Sequence, residues 1–173
     1  MSEKPELRKW SELHGMAVVS IATGKKVGTV EDFYFDSNTN EIPAFVIRLG
    51  MFSKRVLLAK SITAIGADAI TFPDENLLIK ENEEKHLADL ALGHGLLSYR
   101  ILSEGGNVIG NVGNILLDIA TASAPRVHSF ELASGLRSYI SGKYPSFDAN
   151  QVTRHGKDVM VIPDMVADEL QRH

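Results

Sequence analysis

Apolar residues in this chain come in short runs, separated by polar turn-formers. The run AVVSI (17–21) reads as a strand, and Thr23-Gly24-Lys25 as the tight turn after it. Glycine suits such a turn because it reaches positive φ without a Cβ clash. From Val27 to Asp36 the apolar positions are Val27, Val30, Phe33 and Phe35, spaced three, three and two. A plain strand keeps a period of two. One extra residue near Glu31-Asp32, a β-bulge, accounts for the break. DSNTNE (36–41) is a polar turn, IPAFVIRL (42–49) a strand and Gly50-Met51-Phe52-Ser53 a loop. KRVLLA (54–59) and AITF (69–72) are further strands, with a turn at Gly66-Ala67-Asp68 between them. Short strands with closely spaced turns predict a small barrel or sandwich.

The pattern then recurs. TGKKVGTVEDFYFD (23–36) aligns with GGNVIGNVGNILLD (105–118) at an offset of 82, pairing Gly24 with Gly106, Gly28 with Gly110, Val30 with Val112 and Asp36 with Asp118. Asp32 faces Asn114, Gly113 stands beside the irregular point, and Pro43 and Pro125 keep the offset. Four identities in fourteen positions compare with about one from average residue usage. Further on, Gly66/Gly156, Asp68/Asp158, Pro73/Pro163 and Asp74/Asp164 are all 90 apart. The second copy therefore holds eight more residues between Pro125 and Val152, and ASGLRSYISGKYPSFD (133–148) is where they are expected. A period of this kind indicates duplicated structure.

Between the copies, DENLLIKENEEKHLADLALGH (74–94) is crowded with charge and then shows Leu87, Leu90 and Ala91 at helical spacing. It predicts a short helical linker over 81–94. DMVADELQRH (164–173) predicts a C-terminal helix with Asp164 as N-cap. The expected fold is mainly β: two tandem small β-barrels, over 1–80 and 95–173, with an insertion near 133–148 in the second.

Composition narrows the function classes. The 173 residues carry a net charge of −4, against the basic field usual in general nucleic-acid binders. There is no cysteine, so thiolate metal sites and cysteine nucleophiles are excluded and a cytoplasmic location fits. No apolar run approaches a membrane-spanning length, and MSEKPELRKW lacks the apolar stretch of a signal peptide. Six histidines are scattered without metal-ligand spacing, and neither a G-x-S-x-G nor a phosphate-binding loop is present. The expectation is a non-enzymatic protein without cofactor or metal.

Gly24, Gly28, Val30, Asp32 and Asp36, followed by Gly66, Asp68, Ile70, Phe72 and Pro73, resemble the PRC-barrel family over roughly 10–75. The second copy is similar over roughly 95–164, with Asn114 in place of Asp32 and an expanded middle. The resemblance implies a compact β-barrel used as an interaction module. The family includes the cytoplasmic part of the photosynthetic reaction-centre H subunit and a domain of a ribosome-maturation factor.

Gly24, Gly28, Asp32, Asp36, Gly106, Gly110, Asn114 and Asp118 are read as turn and bulge devices. A fold built twice needs such devices twice, and short polar side chains bond nearby backbone. Two stretches are candidate partner-binding sites. One is Met51-Phe52 with Lys54-Arg55, where the alternative is that the apolar pair tucks into the protein. The other is Leu136, Arg137, Tyr139, Ile140 and Tyr144 in the expanded segment, rich in interface-type residues, where the alternative is a local helix capping the barrel's open end. The leading expectation is a protein-interaction adaptor or regulatory module, and a homodimer is compatible with two similar units. The rival is a ribosome-maturation or RNA-processing accessory factor using a basic patch of Lys25, Lys26, Lys54, Arg55 and Lys60.

Overall fold

The computed structural model describes residues 4–133 and 144–172. The chain divides into two compact units. The first runs to Gly93 and also holds Leu117–Val127; the second holds His94–Leu116 and continues from His128.

The first unit opens with strand β1 (Leu7–Lys9) and a single helical turn, α1 (Trp10–Leu13). Its sheet contains β2 (Ala17–Ser20), β3 (Lys25–Phe35), β4 (Ala44–Arg48), β5 (Lys54–Leu58), β6 (Ala64–Ile65), β7 (Ala69–Phe72) and β8 (Ala91–Leu92). The seven strands follow the path β5-β4-β3-β2-β7-β6, with β8 on β3. Neighbours are antiparallel except β2 and β7, which run parallel with Val18 opposite Ile70. Among the described residues no ladder joins β5 to β6, so the sheet is open in hydrogen-bonding terms.

Side-chain alternation explains the burial on both faces. Phe33, Phe35, Phe45 and Leu57 are buried. The intervening Tyr34, Ala44, Val46 and Val56 form a separate buried cluster with Leu87, flanked by Leu58, Ile79 and Leu90. The 74–92 segment therefore covers a second face of the sheet, which is why IPAFVIRL is continuously apolar. The predicted helical linker forms 3₁₀ turns at Glu81–Glu83 and Lys85–Asp89. Residues 117–127 are tied in by backbone hydrogen bonds: Ile119 N to Glu6 O (2.9 Å), Ile42 N to Pro125 O (3.0 Å) and Val127 N to Asn40 O (2.8 Å).

The second unit contains β9 (Arg100–Ser103), most of β10 (Val108–Asp118), β11 (Arg126–Leu132) from His128 on, β12 (Ser146–Asp148), β13 (Arg154–His155) and β14 (Val159–Ile162). Helix α2 (Asp164–Gln171) follows. The path β12-β11-β10-β9-β14-β13 repeats that of the first unit strand for strand. The parallel pair recurs with Arg100 opposite Val159, as Ala17 is opposite Ala69. The last hairpin pairs His155 with Met160, as Ile65 pairs with Ile70.

The registers also divide the extra length. Ala44 and Phe45 pair with Leu58 and Leu57, while Ser129 and Phe130 pair with Asp148 and Phe147. Hence 129−44 gives 85 and 148−58 gives 90. Three extra residues precede Ser129 and five lie between the paired strands. Pro43 and Pro125 are not structural counterparts, although their numbers keep the offset of 82. Asp164 is the first residue of α2 and not its N-cap, which is Pro163. The Asp164 carboxylate instead accepts the Gly105 amide at 2.9 Å.

Candidate functional site

The turn and bulge residues are held by local hydrogen bonds, and the two copies use the same ones. Gly24 and Gly106 have φ of 68° and 89° in the turns ahead of β3 and β10. The Asp32 carboxylate accepts the Phe33 amide (2.8 Å), and the Asn114 side-chain oxygen accepts the Ile115 amide (2.9 Å). Asp36 accepts the Asn38 amide (2.9 Å) and Asp118 the Ala120 amide (3.0 Å). These side chains are engaged in shaping strand ends. A Cβ on Gly28 would overlap the Arg48 carbonyl, and Gly110 follows the register shift between β10 and β9.

In β3 the register against β4 skips from Val30 to Asp32, which makes Glu31 the bulged residue. The bulge aims the Glu31 carboxylate along the sheet at Arg48, with Nε at 2.9 Å and Nη2 at 2.7 Å. This is a two-pronged pair, the strongest geometry for such groups. Lys54 Nζ stands 3.7 Å away. The Arg48 hydrogen bonds, the dominant cause, hold the Glu31 carboxyl at about 2, below its ordinary 4.5, against an opposing effect of burial. Arg48 Nη1 also donates to Met51 O at 3.1 Å, and Leu49 N to Ser53 O at 2.8 Å.

That scaffold fixes the β4–β5 hairpin tip. Phe52 is 95% exposed and Met51 78% exposed, so neither tucks into the protein. Arg55 is half-buried and donates to the Lys54 carbonyl at 2.8 Å. Beside the tip, Lys25, Lys26, Val27, Leu49, Arg55, Glu75 and Leu78 line a groove of about 410 Å³. Lys60 lines a different cleft, with Glu41, Glu84 and Arg126. The five cations of the expected basic patch therefore do not form one surface. The Glu31–Arg48 pair escaped sequence reading because it joins residues 17 apart across a bulge. Leu136, Arg137, Tyr139 and Ile140 lie outside the described residues, and Tyr144 is half-buried. Among the described residues no three His, Asp or Glu side chains are placed to hold a metal ion, and no helix is long and apolar enough to cross a membrane.

Fold and surface together define a mainly β protein built from two copies of one small mixed-sheet unit, with a projecting apolar tip on the first. Residues 5–78 match the PRC-barrel domain family, and the chain carries a PRC-barrel domain there. The second sheet is similar to the first in strand order and in the registers of its parallel pair and last hairpin. No curated protein matches the chain.

Proposed function

We propose that this protein is a non-enzymatic interaction module that docks a partner protein through the Met51-Phe52 tip and the adjoining basic groove. The carrying observation is the near-complete exposure of Phe52 on a hairpin braced by Arg48 and Glu31. An aromatic residue and a methionine held in water at a fixed position are typical interface anchors. Burying one such side chain contributes about 1.5–3 kcal/mol. Lys25, Lys26 and Arg55 would orient an acidic rim on the partner.

A photo-crosslinking residue at position 52, with one at exposed Asn38 as control, tests this in cells. Discrete adducts at 52 that vanish with Lys25→Glu and Lys26→Glu support the reading. Adducts no different from those at 38 refute it. The ribosome or RNA reading draws on Lys25, Lys26, Lys54, Arg55 and Lys60, yet Glu75 lines the groove of Lys25, Lys26 and Arg55, and Glu31 pairs with Lys54. Co-sedimentation with ribosomal subunits that fell steeply with salt would favour it.

A further inference from the structure

We propose that the partner docking on this tip is a second copy of the same chain, seated in a groove of its second unit. The inference rests on the docking role assigned above and names the occupant. The groove beside α2 encloses about 550 Å³, with Asn107, Val108, Asp164 and Asp168 among its lining residues. Val108 is 56% exposed and Met165, next to Asp164 on the helix, is 76% exposed. Asp164 and Asp168 are exposed and one helical turn apart, and no cation pairs with either among the described residues.

The repeat shows what has changed here. The two grooves share four repeat positions: 107−25, 108−26 and 109−27 all give 82, and 168−78 gives 90. At these matched positions Lys25 becomes Asn107, Lys26 becomes Val108 and Leu78 becomes Asp168. One copy of a shared surface has become basic beside a projecting apolar tip, and the other has become acidic with an apolar rim. The chain thus presents both halves of a complementary contact: Phe52 and Met51 for the exposed apolar Val108 and Met165, and Lys25 and Lys26 for Asp164 and Asp168. Such a contact joins unlike surfaces of two identical chains. Charge complementarity sets its orientation, and salt weakens it.

Sedimentation equilibrium of the full chain from about 1 to 500 µM, at low and high salt, provides the test. Concentration-dependent association is expected, weaker at high salt. Phe52→Ser, Lys26→Glu and Asp168→Lys should each weaken it at least about tenfold, as removal of a hot-spot residue does. All three positions are exposed, and unchanged thermal melts establish that each variant is folded. The decisive measurement mixes Lys26→Glu chains with Asp168→Lys chains. Each alone associates at least about tenfold more weakly than the parent, and together they regain association, because the unaltered tip of Asp168→Lys chains meets the unaltered groove of Lys26→Glu chains. A monomer at every concentration, association indifferent to Phe52→Ser, or a mixture that regains no association overturns the proposal. Crosslinks from position 52 to other proteins, alongside a monomeric chain, would remove the self-association and leave the docking role standing.

Discussion

Glu31→Gln is the sharpest test of how the tip is held. The substitution keeps shape and removes the charge that receives both Arg48 prongs. A carboxyl held at about 2 instead of 4.5 corresponds to roughly 3 kcal/mol at neutral pH with no solvent screening. The two side chains are 28% and 38% exposed, so water screens the pair and the expected loss is about 1 kcal/mol. The sign follows from the lowered value. The stabilisation is fully present above pH 4.5 and is lost as pH falls through about 2. Urea denaturation of parent and variant should therefore differ by about 1 kcal/mol at pH 7, and the gap should narrow as pH drops below 4.5. A double-mutant cycle with Arg48→Met isolates the coupling. Hydrogen exchange at the Leu49 amide, bonded to Ser53 O across the tip, should accelerate in both single variants. A stability gap that does not change with pH, or an unaltered Leu49 amide, would refute the bracing role.

Two further outcomes follow from comparing the copies, and a third from a glycine packed against the core of the first. His155 occupies the position of Ile65, with the Phe130 ring 6.2 Å away, and burial pushes its pKa below 6.5. The unfolded chain binds the proton more readily, so stability falls as pH drops below 6.5; His155→Ile should flatten that part of a denaturation-versus-pH curve. Ser20 and Ser103 are both buried at the end of the first strand, but Ser103 Oγ accepts the Asn107 amide (3.1 Å) while Ser20 Oγ has no partner among the described residues. Ser103→Ala should cost about 1 kcal/mol and Ser20→Ala should be neutral or stabilising in the same urea assay. Gly93→Ala would drive a Cβ into the Phe33 ring, which packs edge-on against Trp10 at 4.8 Å. A loss of about 2 kcal/mol is expected, against almost none for Gly50→Ala, where the space is open.

Local features were legible in the sequence because local residues dictate them. The turn glycines Gly24 and Gly106, the side-chain caps at Asp36 and Asp118, and the extra residue at Glu31 all act within a few positions of themselves. Long-range pairings left no comparable trace. Nothing in AVVSI or AITF identifies the other as its parallel neighbour. Trp10 sits in a charged N-terminal stretch, yet it is buried because α1 turns it onto Phe33. Pro125 kept the offset of 82 while the adjoining strand had shifted to 85, so numerical register alone misplaced part of the added length. The fate of Met51-Phe52 was undecidable from composition, since a hairpin tip can fold inward or stand clear. Arg48, anchored from below by Glu31, holds the tip's Met51 carbonyl.

The parallel pair in each sheet also governs the order in which the chain can assemble. β2 meets β7 across 69−17, or 52, positions, and β9 meets β14 across 159−100, or 59. The hairpins between them can form early, but these parallel contacts close long loops and come late. During synthesis, where N-terminal parts emerge first, Phe72 completes the first sheet's parallel pair. The first unit still lacks Leu117–Val127, which bonds to Glu6, Asn40 and Ile42. The first unit therefore matures only after all of β10 and the start of β11 have left the ribosome, so its completion waits on the synthesis of strands of the second.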